Sequence, residues 1–210
     1  MSWIDRLTSM KRAVPLRTVV GAFAAAILLS VAPGTAHAQT GATGEASQDP
    51  VFVFNRICYG QVPSVAAIRD MALELAWRRM DDEDLKQFAP DGVTPDVLDG
   101  WDAQVGDRVY RVAISQSTPP PTLAEGAPGF ENGTATTCTM VLDENHDPAV
   151  FLSNTRTLAR KDPVSADVEG PGGVRTTTWA GGNDDMKIIL VARANPDAAG
   201  GVLAVTILQK

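Results

Sequence analysis

Apolar residues follow two different periods along this chain, and the change comes near residue 100. Val65, Ile68, Ala72 and Leu75 recur at helical spacing, with Met71 and Ala76 widening the stripe. Asp70, Glu74 and Arg78 share another face, and Glu74 with Arg78 is a favourable i,i+4 pair. The pattern predicts a helix over 64–79, opened by Pro63 and Ser64, with Trp77 half covered at the edge of its buried stripe. Upstream, Val51-Phe-Val-Phe54 reads as a short strand or as an apolar segment docked on the core. Leu85 to Phe88 suits a helical turn, and Thr94-Pro95-Asp96 has the cap and N1 proline of another.

From Trp101 the period is two. Trp101 to Val105 and Arg108 to Ile114 form a predicted hairpin around Gly106-Asp107, pairing Val105 with Arg108, Ala103 with Tyr110 and Trp101 with Val112. Residues 117–133 hold prolines and glycines and read as a long loop. Thr134 to Leu142 is the next strand, with Thr136, Cys138, Met140 and Leu142 on its core face. Asp147-Pro148 opens a second helix striped by Phe151, Thr155 and Leu158, with Leu152 and Ala159 beside them. After a loop over 163–173, residues 174–180, 186–194 and 202–208 read as a strand meander. The expected fold is α+β. An antiparallel sheet of five to seven strands is covered by one or two helices within a single domain over 51–210.

The first 38 residues have a different pattern. Arg6, Lys11, Arg12 and Arg17 precede an apolar run from Val19 to Ala32, followed by Ala36-His37-Ala38. This is the form of an export signal cleaved between Ala38 and Gln39. The run of 14 residues is short for a membrane span, which needs about 20. No cysteine lies near its end to carry a lipid, and no Arg-Arg pair marks the folded-export route. The expected location is periplasmic or secreted, with membrane contact only through the signal peptide before cleavage. Residues 39–50 are small and polar and read as a disordered tether.

Cleavage sharpens the charge balance. The leader takes four of 18 basic residues and one of 25 acids with it, leaving a mature chain of net charge −10. Such a chain repels nucleic acid and anionic lipid. Two cysteines remain, Cys58 and Cys138, and in an exported protein they pair by default.

Few residues suggest catalysis. His146 is the only histidine after cleavage and lies in Asp143-Glu-Asn-His-Asp147. That run begins like a calcium loop, but Pro148 stands where glycine is needed and Asn154 where a bidentate glutamate is needed. It reads instead as a strand-to-helix turn capped by Asp147, which leaves His146 dispensable. Asp81-Asp-Glu-Asp84 reads as a solvated acidic corner. No nucleophile elbow, phosphate loop or dinucleotide fingerprint is present. No metal or cofactor is expected. The candidate ligand surface is Trp179 beside the hairpin tip Asn183, Asp184 and Asp185, since an aromatic next to polar groups can hold a sugar or peptide.

The leader, Phe54-Asn-Arg-Ile-Cys58 with Val62-Pro63-Ser64, Thr136-Thr-Cys-Thr139, Thr177-Thr-Trp-Ala-Gly-Gly182 and Leu203 to Leu208 together resemble, over residues 54–210, small exported proteins of Gram-negative bacteria without known activity. The resemblance implies a disulfide-linked α+β domain and brings no catalytic residues. The expected function is a non-catalytic binding or interaction module of the cell envelope, whose partner is a protein or an envelope ligand. The alternatives are an envelope hydrolase using carboxylates or His146, and an inhibitor of a secreted enzyme.

Overall fold

The computed structural model describes residues 49–142, 147–198 and 200–210. The proposed cleavage site Ala38–Gln39 and the segment Asp143 to His146 lie outside these residues. Asp49 opens the first described element, α1 (Pro50–Phe54), and its carboxylate accepts from the Val51 and Phe52 N–H groups. The expected tether therefore loses its last two residues to a capped helix. Asp49 also accepts from Asn154 Nδ2 at 2.6 Å, which ties the start of the domain to a helix 105 residues away. Val51, Val53 and Phe54 are buried, so the segment docks on the core as expected, but as helix and not strand. It continues directly into a π-helical turn, Asn55–Tyr59, which carries Cys58.

α2 (Val65–Glu74) starts at Ser64, whose hydroxyl accepts from Ala67 N–H. It stops five residues before the expected end at 79. Ala76 takes a left-handed backbone, φ 51°. The Trp77 N–H then bonds the Ala72 carbonyl at 2.9 Å, and the Ala76 N–H bonds Leu73 at 3.2 Å. This is a Schellman cap with alanine where glycine is usual, which hid the stop. The reversal swings Trp77 into the core, 7% exposed, and leaves Leu75 outside, 42% exposed. Arg78 and Arg79, expected to be helical, form the short edge strand β1 (Arg78–Arg79).

Next come α3 (Asp82–Lys86) and then β2 (Val97–Val105), with no helical turn at Thr94. The hairpin of β2 with β3 (Arg108–Ser117) has the expected register, including Trp101 opposite Val112. The following loop contains α4 (Pro121–Gly126), and β4 (Thr134–Leu142) follows. α5 (Pro148–Ala159) is capped by Asp147, whose carboxylate accepts from Ala149 and Val150 N–H. The supposed loop after it holds a strand, β5 (Ser165–Glu169). β6 (Arg175–Gly182), β7 (Met186–Ala194) and β8 (Gly201–Gln209) form the meander.

The strands form one antiparallel sheet of eight, in the order β1-β2-β3-β4-β8-β7-β6-β5. The expected five to seven lacked the two edges. β1 is only two residues long, and β5 is polar and broken by a register shift at Asp167, φ 51°. Edge strands bury little, so they carry no apolar alternation to read. One face holds Trp101, Tyr110, Val112, Cys138, Leu190 and Leu203 against α1, the π turn, α2 and α5. The other face is covered in two places. Met80, Leu85 and Phe88 cover Ala113 and Val141, and Ala127 with Phe130 covers Ala135 and Leu208. A Cβ on Gly100 would lie 2.7 Å from Leu85 Cδ1, so the first of these covers needs glycine beneath it.

Candidate functional site

Cys58 and Cys138 are joined, with an S–S length of 2.00 Å and Cα atoms 5.4 Å apart. The bond runs from the π turn to the middle of β4 and fixes the helical layer on the sheet. Several acids have structural roles. Asp99, buried on β2, accepts from Arg69 Nε at 2.7 Å and from Arg79 at 2.9 Å. Asp102 pairs with Arg78 across the β1–β2 ladder. Asp81 caps α3 and the acidic run fills its first turn, so that corner is a helix start. Among the described residues, two surface groups titrate away from their ordinary values. The Lys86 ammonium is held up by its hydrogen bond to Glu83, and the Glu131 carboxyl is held down by the Gly129 N–H. Neither lines a cleft.

The candidate surface at Trp179 divides. Trp179 is 2% exposed and packs beneath the helical layer. Asn183, Asp184 and Asp185 stand exposed at the β6–β7 tip. The Asn183 side-chain Oδ1 accepts from the Asp185 and Met186 N–H groups, both at 2.9 Å. Its own backbone N–H bonds the Met186 carbonyl at 2.7 Å. The tip is closed on itself, and Trp179 does not join it in one surface.

The concave sites lie elsewhere. Where the α1–π-turn segment passes the β2–β3 hairpin, a cleft of about 220 Å³ opens. Phe52 and Leu75 form an apolar rim, 49% and 42% exposed, and Arg56 and Gln104 add polar groups. Val53, Ile57 and Trp77 lie deeper. Trp77 Nε1 is closed off from solvent and has no acceptor. An indole N–H is a donor only, and burying one unpaired costs free energy. The helical reading of 50–59 was the signal needed to find this cleft. Phe52 with Arg56, and Val53 with Ile57, are i,i+4 pairs that share a face only in a helix. A smaller pocket of about 100 Å³ lies against Trp179, whose Nε1 is likewise buried without an acceptor.

No protein-family model, curated protein or solved structure matches this chain. Among the described residues, no three of His, Cys, Asp and Glu gather in a metal-binding cluster, and no helix is long and apolar enough to cross a membrane.

Proposed function

We propose that this protein is a non-catalytic binding module of the cell envelope, exported by its N-terminal leader. Its ligand enters the Trp77 cleft as an apolar group. The observation that supports this most is the cleft of about 220 Å³ itself, whose rim exposes Phe52 and Leu75. Exposed apolar side chains around a concavity mark interaction sites more than isolated ones do. Size narrows the choice. A cavity of about 150 Å³ already holds a benzene ring, so about 220 Å³ suits one ring or a short alkyl segment. Among the described residues no acid lines the cleft, so they offer it no carboxylate pair for hydrolysis. The disulfide supports an oxidising compartment, where such bonds form and persist.

The test follows the Trp77 indole N–H by NMR while decanol or decanoate is added below its micellar concentration. The resonance is expected to move saturably. Phe52→Asp, at an exposed position, is expected to abolish the response while leaving the melting curve in place. An unmoved resonance with every probe, or an F52D protein that responds like the native one, would overturn the reading.

A further inference from the structure

Among the charged groups around the Trp77 cleft, Arg56 stands apart. It lies on the π turn, one helical turn after Phe52 and two residues before Cys58. The disulfide from Cys58 to Cys138 anchors that turn on the sheet. Gln61 Nε2 donates to the Arg56 carbonyl at 3.1 Å, which ties the backbone down while the side chain stays exposed. The arginines of α2 and β1 are neutralised, Arg69 and Arg79 by Asp99 and Arg78 by Asp102. Among the described residues no acid pairs with Arg56, and no other charged side chain lines the cleft. Glu74 and Asp107 adjoin lining residues in the chain but do not line it. In a chain of net charge −7, an apolar cleft thus carries an unpaired cation at its mouth.

Building on the proposed ligand site, on which this step rests, we infer that the cleft takes a free single-chain alkyl carboxylate of medium length. The alkyl chain lies against Val53, Ile57 and Trp77, and the carboxylate sits at the mouth against the Arg56 guanidinium. A guanidinium presents a planar fork of N–H donors that matches the two oxygens of a carboxylate. Length follows from volume. A cavity of about 150 Å³ holds a six-carbon ring, so about 220 Å³ holds roughly eight carbons. An ammonium head group would meet the guanidinium as a like charge, and an alcohol would forgo the ionic bond. A bilayer surface fits less well, because anionic lipid is recognised by clusters of Lys and Arg. The arginines of α2 and β1 are already engaged by Asp99 and Asp102.

Octanoate, octanol and octylammonium are added separately to the purified protein, each below its micellar concentration, with the Trp77 indole resonance as the readout. Octanoate is expected to bind about fivefold more tightly than octanol, and octylammonium more weakly than either. Arg56 is exposed, so Arg56→Gln leaves the fold in place. That variant is expected to weaken octanoate about fivefold and to leave octanol unchanged, so that the two bind alike. Arg56→Glu is expected to invert the order and put octylammonium ahead of octanoate. Octanol binding as tightly as octanoate to the native protein would overturn the inference and leave the apolar ligand site standing. So would an R56Q protein that keeps the native preference for octanoate. Silence toward all three probes would overturn both. Binding to phosphatidylglycerol vesicles without a response to octanoate would make the cleft a membrane contact and overturn the inference as well.

Discussion

At the scale of single residues, Ala76 decides where Trp77 goes. A left-handed backbone costs a residue with a Cβ roughly 1 kcal/mol and costs glycine almost nothing. Here that cost is borne so that Trp77 N–H can reach Ala72 and the indole can turn under the hairpin. Ala76→Gly keeps the turn and removes the strain, at the expense of a more flexible unfolded chain. We expect a net stabilisation of a few tenths to about 1 kcal/mol, read as a higher urea midpoint at unchanged m-value. A fall in the midpoint would show that the alanine methyl packs in a way the backbone argument omits. The same residue explains why the α2 boundary was hidden. Glycine after a helix is a readable stop, whereas alanine looks like continuation.

At the scale of elements, the disulfide links two pieces that have few other covalent constraints. Cys58 and Cys138 are 80 residues apart. In the loop-entropy account, closing such a span is worth about 4 to 5 kcal/mol, less any strain. Cys58→Ala with Cys138→Ala is expected to lose a few kcal/mol, measured by denaturant unfolding, from a typical total of roughly 5 to 15 kcal/mol. An unchanged midpoint would mean that α1, α2 and α5 hold the layer in place without the bond. Both the pairing and the core-facing side of β4 were legible, because an apolar alternation and two thiols in one chain leave little choice. Elements with weak alternation were not legible. Val51-Phe-Val-Phe54 has strand composition but a helix cap in Asp49-Pro50, and four residues are too few for period to decide. Ser165-Ala-Asp-Val-Glu169 pairs as a strand with most of its side chains in water. The candidate surface divides for a related reason. The aromatic at 179 was visible in the sequence, but its direction depended on which face of β6 the helices cover. The chain order contains no statement of that.

At the scale of the whole molecule, the path of the chain puts its last strand near the centre of the sheet. After β4 the chain crosses with α5 to the far edge. It then returns through β5, β6 and β7, so that β8 pairs with β7 on one side and β4 on the other. Leu203, Val205 and Ile207 enter the helix-covered core, and Leu208 packs with Phe130 beneath the opposite face. Burying an aliphatic side chain of this size contributes about 1.5 to 3 kcal/mol, so four of them match a typical folding free energy. Removing residues 201–210 also leaves β4 and β7 with two facing rows of unpaired backbone groups. We expect that truncation to abolish the cooperative thermal transition, followed by circular dichroism. The edge strands should behave in the opposite way. Val168 on β5 is 54% exposed, and Val168→Ser is expected to change stability by no more than about 0.5 kcal/mol. Hydrogen exchange reads the same contrast in the native protein. The β8 amides should open only with global unfolding, and those of β5 through local fraying. A truncated chain that still melts cooperatively would mean that the two halves of the sheet fold as separate units, with β8 only bridging them.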